Sequence, residues 1–422
     1  MNMVIGILIG LLVLMFLVVA HELGHFIAAR RNGVKVNEFG IGFPPRAIAW
    51  VKNPEYEKWK KVPKNARNKK RKPKKWLRLK RKDWGKSQKR LIFSLNWLPI
   101  GGFCAMDGES DADTKKGTFG AASFWGKTKI LFAGVAANWL VAFVILTVLA
   151  VTGMPHFMDD QFTMSGDTNV SETAIFIEKI EPNSPAEQAG MEVGDQIIEG
   201  ISNGSTAAEE VGSSAKLTNF NAAHAGEKVT FHILRDGNVI SVEPTLNNVE
   251  DSYVLGTTVR QEGRELYYST WSAPIVGAVT TVQLTGETFR GLWNLLWDFG
   301  SGIVRQLSPD STVREQGREA IGTAGESVSG PVGIIGVLFP AFTETGPTNL
   351  AFLAAIISIS LACMNVLPIP ALDGGRWFLI ALFRIRGKKL DKKTEEKIVS
   401  RAFLVLLVLI AVITVLDVIK MF

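Results

Sequence analysis

The stretch 18-VVAHELGHFIAAR-30 sets two histidines and a glutamate inside an otherwise apolar run. From Val4 to Ala20 no residue carries a charge, and after His21, Glu22 and His25 the apolar character resumes with Phe26, Ile27, Ala28 and Ala29. About 20 apolar residues suffice to cross a bilayer as a helix, so the run reads as a span with ionisable groups in it. A charge at mid-membrane costs roughly 2.5–3.5 kcal/mol on insertion scales, which makes an unused one rare. The spacing H-E-x-x-H puts both histidines on one helix face. Imidazoles that converge in this way can hold zinc, which lowers the pKa of a bound water to roughly 7. The intervening glutamate can accept the water's proton and later pass it to a leaving amine. The alternative is a pair of buried histidines bonded to neighbouring helices, with Glu22 as a structural acid.

Working outward, the chain has 422 residues and is 47% hydrophobic, an ordinary fraction with an uneven distribution. Apolar blocks long enough to span occur at about 4–29, 128–151, 348–367 and 401–419. A weaker stretch at 273–306 carries Gln283, Glu287, Arg290 and Asp298 and reads as an amphipathic helix lying on the membrane. The N-terminus has no basic n-region and no A-x-A site, so the first block reads as a retained span. Cys104 and Cys363 form no CxxC, which argues against a disulfide framework and a cysteine zinc site.

Charge sets the expected orientation. Connection 30–127 is basic, as is 384-RIRGKKLDKK-393, and short basic connections face the cytoplasm. Four crossings then place both termini and the 152–347 insert on the opposite side. Residues 52–90 hold nineteen Lys and Arg against three acids, with Trp59, Trp76 and Trp84 interleaved. This reads as a solvated segment near anionic headgroups. No nucleic-acid module accompanies the charge, so nucleic acid is set aside as a partner.

Zinc hydrolases use three protein ligands and keep a fourth position open, so one ligand must lie elsewhere. His156, His224 and His232 fall in the insert. His21 lies roughly 25 Å along its helix from Val4, towards the cytoplasmic side, which places those histidines poorly. Asp373 in 364-MNVLPIPALDGGR-376 fits the depth better. Pro368 and Pro370 interrupt the helix there, and Gly374 and Gly375 allow unusual backbone angles. Such backbone is tolerated at membrane depth only where protein buries it or it lines a wet cavity. Alone, Asp373 would be a helix-end turn acid; beside HELGH it is a ligand candidate.

Within the insert, 174-AIFIEKIEPNSPAEQAGMEVGDQIIEGISN-203 alternates like strands around a turn at Pro182-Asn183, a short helix over 185–190 and a Gly194-Asp195 turn. Then 227-EKVTFHILRDGNVISVEP-244 reads as a hairpin with Asp236-Gly237 at its tip. On pattern alone this is a small α/β module.

Taken in order, these segments resemble the site-2 protease family of intramembrane zinc metalloproteases, in its bacterial PDZ-containing branch (regulator of sigma-E protease type). The resemblance rests on HELGH, 39-FGIGFPPR-46, 95-LNWLPIGGFCAMDGE-109, 133-AGVAANWLVAF-143, 329-SGPVGIIGV-337 and NVLPIPALDGGR, with S-P-A-x-x-A-G and D-x-I in the insert. It implies an α-helical polytopic membrane protein of four transmembrane helices, with a membrane-associated β-structure and an inserted α/β PDZ domain. The parts would be transmembrane helix 1 at 1–31, a cytoplasmic basic segment with re-entrant β-structure at 32–127, and helix 2 at 128–151. A PDZ domain at 172–245 and an extracytoplasmic amphipathic segment at 262–330 would follow, then helix 3 at 331–383 and helix 4 at 401–420.

The resemblance further implies that His21, His25 and Asp373 ligate Zn2+ and that Glu22 is the catalytic acid/base. Asn365 and Pro368, of the N-x-L-P-x-P element, would hold the substrate backbone or the developing oxyanion. Gly40, Gly42, Gly101 and Gly102 would shape the re-entrant structure, whose strand edge can hold an unwound substrate by β-addition. The activity implied is cleavage within transmembrane segments after a first ectodomain cut, in the bacterial plasma (inner) membrane, on substrates of the anti-sigma factor or signal-peptide remnant type. The PDZ domain would capture a freshly cut end or exclude bulky ectodomains, and His224 and His232 would be structural. Two departures stand out: the basic insert is long, and the span-two motif reads Gly134-Val135 where the family often has Gly-Pro. The rivals are a non-catalytic PDZ membrane scaffold and a metal transporter, neither of which needs Glu22 as a base.

Overall fold

A computed structural model describes residues 2–61, 72–79, 90–158, 160–171, 173–202, 207–248, 253–263, 265–326, 330–388 and 390–421. Much of the basic run, Trp84 included, lies outside them. The chain divides into two units, Met1–Leu149 with Gly277–Phe422, and Ala150–Val276.

Among the described residues four helices are long and apolar enough to cross a membrane, within Met3–Arg31, Phe124–Thr152, Pro347–Val366 and Lys392–Ile419. Large apolar side chains cover their exposed faces, as lipid contact requires; in the last helix these run from Phe403 to Ile419. The chain is a membrane protein. We label the helices of the first unit α1 (Asn2–Arg31), α2 (Pro54–Lys61), α3 (Phe124–Thr152), α4 (Ala273–Gln306), α5 (Ser311–Glu326), α6 (Pro347–Val366), α7 (Asp373–Ile385) and α8 (Lys392–Met421).

The segment expected as helix 3, 331–383 with an interruption at Pro368 and Pro370, is three pieces. Pro331–Gly333, a π-helical turn at Ile334–Leu338 and Phe339–Glu344 form a short apolar segment. Gly346, at φ +105°, then turns the chain into α6. After α6 the chain runs non-helically through Leu367–Leu372 and restarts as α7 at Asp373. The fourth helix begins at Lys392, earlier than the apolar block, and its first turns are polar. Near its other end Asp417 is buried and accepts the N–H groups of Gly330 (3.1 Å) and Gly333 (2.8 Å), so a helix start neutralises a carboxylate on an apolar helix.

Stretch 273–306 is helical as expected, but it also packs along α3. The Trp139 indole donates to the Thr285 hydroxyl at 3.1 Å, and Gly277 abuts Thr147. These contacts pair later residues of one helix with earlier residues of the other, so α4 runs antiparallel to α3.

Two strands, β1 (Val36–Lys52) and β3 (Ile92–Met106), each serve twice. Residues Glu38–Ile41 face Gly102–Ala105 on one side and Ile92–Leu95 on the other, while Ile48–Val51 also face Ile92–Leu95. Both strands therefore bend, and β2 (Trp76–Arg78) adds to the outer edge against Trp50–Lys52. The segments order as 76–78, 46–52, 92–98, 36–43, 101–106, and the last of these lies at the site.

The second unit holds a sheet of order β10-β9-β7-β6-β11, with β8 on β7. Its strands are β6 (Ala174–Ile180), β7 (Gln196–Ile201), β8 (Glu209–Glu210), β9 (Thr230–Arg235), β10 (Asn238–Val242) and β11 (Thr257–Glu262). The expected boundary at 245 is too short, because β11 pairs with β6. A smaller sheet joins β4 (Met154–Pro155), β12 (Leu266–Tyr268) and β5 (Asn169–Val170), so the segment expected as helical from 262 opens with strands. The turns at Asn183 (φ 59°) and Asp236-Gly237 (φ 48° and 80°) stand where the sequence puts them. Ile175, Ile177, Ile197, Phe231 and Ile233 fill the core.

Asp167 ties this unit's small sheet to the chain beyond it. It accepts the hydroxyls of Thr270 and Ser272 and their backbone amides, at 2.9 Å and 3.0 Å. These bonds hold its carboxyl down at about 2, below the unfolded value of 3.8, with burial opposing. A depressed pKa contributes stability that is complete above the unfolded value and lost as pH falls through the folded one. Hydrogen exchange over 164–171 and 266–272 is therefore expected to lose protection between about pH 4 and pH 2 in the wild type. Asp167→Asn should be less protected at pH 6 and lack that step; an identical acid profile for both would refute the assignment.

Candidate metal centre

His21 and His25 lie one turn apart on α1, both buried. Their Nε2 atoms are 3.1 Å apart, and each is 3.1 Å from Asp373 Oδ2. Among the described residues these three form the group whose ligand atoms converge for a metal. Asp373 is the first residue of α7, where a helix start favours a carboxylate.

Outer contacts orient the rings. His25 Nδ1–H donates to Ile130 O at 2.8 Å, leaving Nε2 as the free lone pair. Asn138 lies 3.4 Å from His21 Nδ1 through its side-chain amide, and among the described residues Asn138 Oδ1 is buried without a partner. Turning the amide over lets Oδ1 accept from His21 Nδ1–H, which satisfies both groups and frees the second Nε2. With two neutral imidazoles and one carboxylate aimed at a common point, the donor set suits zinc.

α3 provides this shell because it comes very close. A Cβ on Gly134 would lie 2.5 Å from His25 Nε2 and 2.6 Å from His21 Nε2. One on Gly24 would lie 2.2 Å from Ala133 O. Ser358 on α6 bonds Asn138 O (2.8 Å) and Trp377 on α7 bonds Thr128 (2.9 Å), so α3 is tied to α6 and α7 as well as to α1. The glycines after Asp373 serve closeness rather than unusual angles. Neither has positive φ, and a Cβ on Gly375 would lie 1.9 Å from Ile369 O.

The three candidate ligands border a cavity of about 220 Å³ shared with Glu22, Cys104, Met106, Asn365 and Arg376. Glu22 and Cys104 line it together, so the inner edge of the β-sheet lies against the glutamate. Gly102 is the glycine nearest Glu22; Gly40 backs onto Gly102, while Gly42 and Gly101 sit at the bends beside Leu98 and Phe43. Asn365 lines the cavity and donates to Leu361 O (2.9 Å), whereas Pro368 is exposed in the turn. The insert's histidines have local partners, His156 with Glu265, His224 with Glu227 and His232 with Glu199. Ile130, Gly134 and Asn138 act here without having been singled out as site residues; the small-residue run 133-AGVAAN-138 is the signal for the last two, while Ile130 contributes only its backbone carbonyl.

A histidine pair and an acid converging among apolar helices, with a glutamate in the same cavity, define a membrane metallopeptidase. The profile of peptidase family M50 matches residues 9–58 and 79–410, and the chain belongs to that family. The zinc metalloprotease RasP of Geobacillus kaustophilus is 27% identical over 96% of this chain and 96% of its own. RasP of Bacillus licheniformis is 26% identical over 96% and 97% respectively, and a Clostridium acetobutylicum protein named as a zinc metalloprotease is 26% identical over 98% and 97%. The chain is thus a zinc-dependent metalloprotease.

Proposed function

We propose that this enzyme hydrolyses peptide bonds within or near transmembrane segments of membrane proteins, in regulated intramembrane proteolysis after a first ectodomain cut. The reading is carried by the cavity that Glu22 shares with His21, His25 and Asp373, set among apolar helices. The two Nε2 atoms and Asp373 Oδ2 would hold zinc, which when bound acts as a Lewis acid and makes water nucleophilic near neutral pH. Glu22 accepts a proton from the attacking water and delivers it to the departing amine as the C–N bond breaks.

A helical substrate hides its peptide groups, so it must unwind. The 101–106 segment offers it an extended partner, with Gly40, Gly42, Gly101 and Gly102 setting the bends and Asn365 and Pro368 holding the substrate backbone. The basic connections face the cytoplasm, with the site towards that side and the termini and 152–347 outside. The Ala174–Glu262 sheet module acts as a PDZ domain that captures a cut end or screens ectodomains by size. Anti-sigma factors and signal-peptide remnants are the substrate types this suits. A non-catalytic scaffold would not place Glu22 in the ligands' cavity.

The test is cleavage of a model transmembrane substrate by the reconstituted protein, with cut sites mapped by mass and zinc measured in parallel. Cuts inside the apolar segment are expected; cuts confined to soluble loops would overturn the reading. Asp373→Ala should lower zinc affinity at least about tenfold, since it removes one of three ligands. Unchanged zinc content would remove Asp373 from the ligand set.

A further inference from the structure

The long basic insert plays no part in the chemistry above. Residues 52–90 carry nineteen basic and three acidic side chains, a net +16 in a chain whose total is +7, so the remainder carries −9. Segregation this sharp, within one connection of a membrane protein, calls for an anionic counterpart.

We propose that the outer edge of the β1–β3 sheet is a docking surface for the headgroups of anionic phospholipids. The described part of the insert builds that edge. β2 pairs with the end of β1, placing Trp50 opposite Arg78 and Lys52 opposite Trp76 on one face. Lys72, Lys74, Lys75 and Arg78 are exposed along it, and Lys72 lies 5.7 Å over the Trp59 ring. Among them Trp50 (37%) and, one strand further in on the same face, Leu95 (42%) are large apolar side chains left open. Aromatic rings beside lysines suit the headgroup level, with rings among the carbonyls and ammonium groups at the phosphates. A bilayer is the occupant within reach, because α1 ends at Arg31 and β1 starts only five residues later at Val36. The edge is four strand spacings, about 19 Å, from the 101–106 segment at the site, so it lies outside the catalytic machinery.

The proposal does not depend on the cleavage reading, and its test reads no activity. The full-length protein carries an environment-sensitive dye at Lys74→Cys, its own two cysteines being buried. It is placed in nanodiscs of phosphatidylcholine alone or with about 30% phosphatidylglycerol. Phosphatidylglycerol is expected to shift the dye emission to the blue, and about 1 M salt, where the Debye length is near 3 Å, should reverse the shift. Each basic residue near such a surface changes partitioning by about fivefold, so Lys72→Glu, Lys75→Glu and Arg78→Glu together should abolish the shift. Equal emission in both nanodiscs would overturn the proposal. So would an equal or larger shift on adding polyuridylate to phosphatidylcholine nanodiscs, which would assign the edge to nucleic acid. Unchanged zinc content in the triple variant establishes that its fold is intact.

Discussion

Glu22→Gln is expected to stop peptide hydrolysis while leaving zinc in place. Glutamine matches glutamate in volume, so the contact with the Cys104 segment and the shape of the 220 Å³ cavity should survive. The imidazoles and Asp373 are untouched, and none of them depends on Glu22 for its position. What disappears is a group able to take a proton from water and return it to an amine. Positioned acid–base groups contribute about 10²–10⁴-fold, and Glu22 serves both transfers, so a loss of at least about 10³-fold in kcat is expected. KM should move little, because the side chain acts on the reacting atoms rather than on substrate binding. The measurement is single-turnover cleavage of a transmembrane substrate alongside zinc by mass spectrometry. Retained cleavage would dismiss Glu22 as the base. Loss of zinc along with activity would make the glutamate structural and leave its chemical role unsupported.

The chemistry of this site was more legible than its scaffolding. His21, Glu22 and His25 stand out because lipid penalises them, and Asp373 stands out because prolines and glycines break a helix at matching depth. The four spans follow from length and hydropathy alone. Features that arise from close approach were harder to see. Gly374 and Gly375 suggest flexible backbone in the sequence, yet they are there because the turn carbonyls leave no room for a Cβ. Two breaks divide 331–383 into separate helices, one at the left-handed Gly346 within the polar stretch 343-TETGPTN-349 and one at Pro368 and Pro370, and only the second was read from the sequence. The doubled pairing of β1 and β3 depends on two bends whose partners lie some 50 residues apart, beyond any local periodicity. The last strand of the second unit's larger sheet was missed for the same reason, since β11 pairs with β6 across about 80 residues of chain.

Gly134 shows what such close approach is worth. Gly134→Ala should weaken zinc binding by about 10–100-fold, the range seen when the groups that orient metal ligands are disturbed. Two effects oppose each other in this variant. Alanine is the better helix former by about 1 kcal/mol, which favours α3. Against it, the new methyl would sit 2.5–2.6 Å from both imidazole Nε2 atoms, in the space where the ligands must converge. Overpacking a tight site costs typically about 1–3 kcal/mol, and here the strain falls on the two rings rather than on the helix. α3 cannot easily retreat, because Ser358 and Trp377 tether it on other faces and Gly24 fits against Ala133 just beside the site. The variant should therefore keep a melting temperature close to that of the zinc-free wild type while its zinc content and its cleavage fall together. Ala136→Val adds more volume to an exposed position on the same helix and should change neither. Wild-type zinc affinity in Gly134→Ala would mean that α1 and α3 part without cost, and that the contact between α3 and the imidazoles has no part in holding the metal.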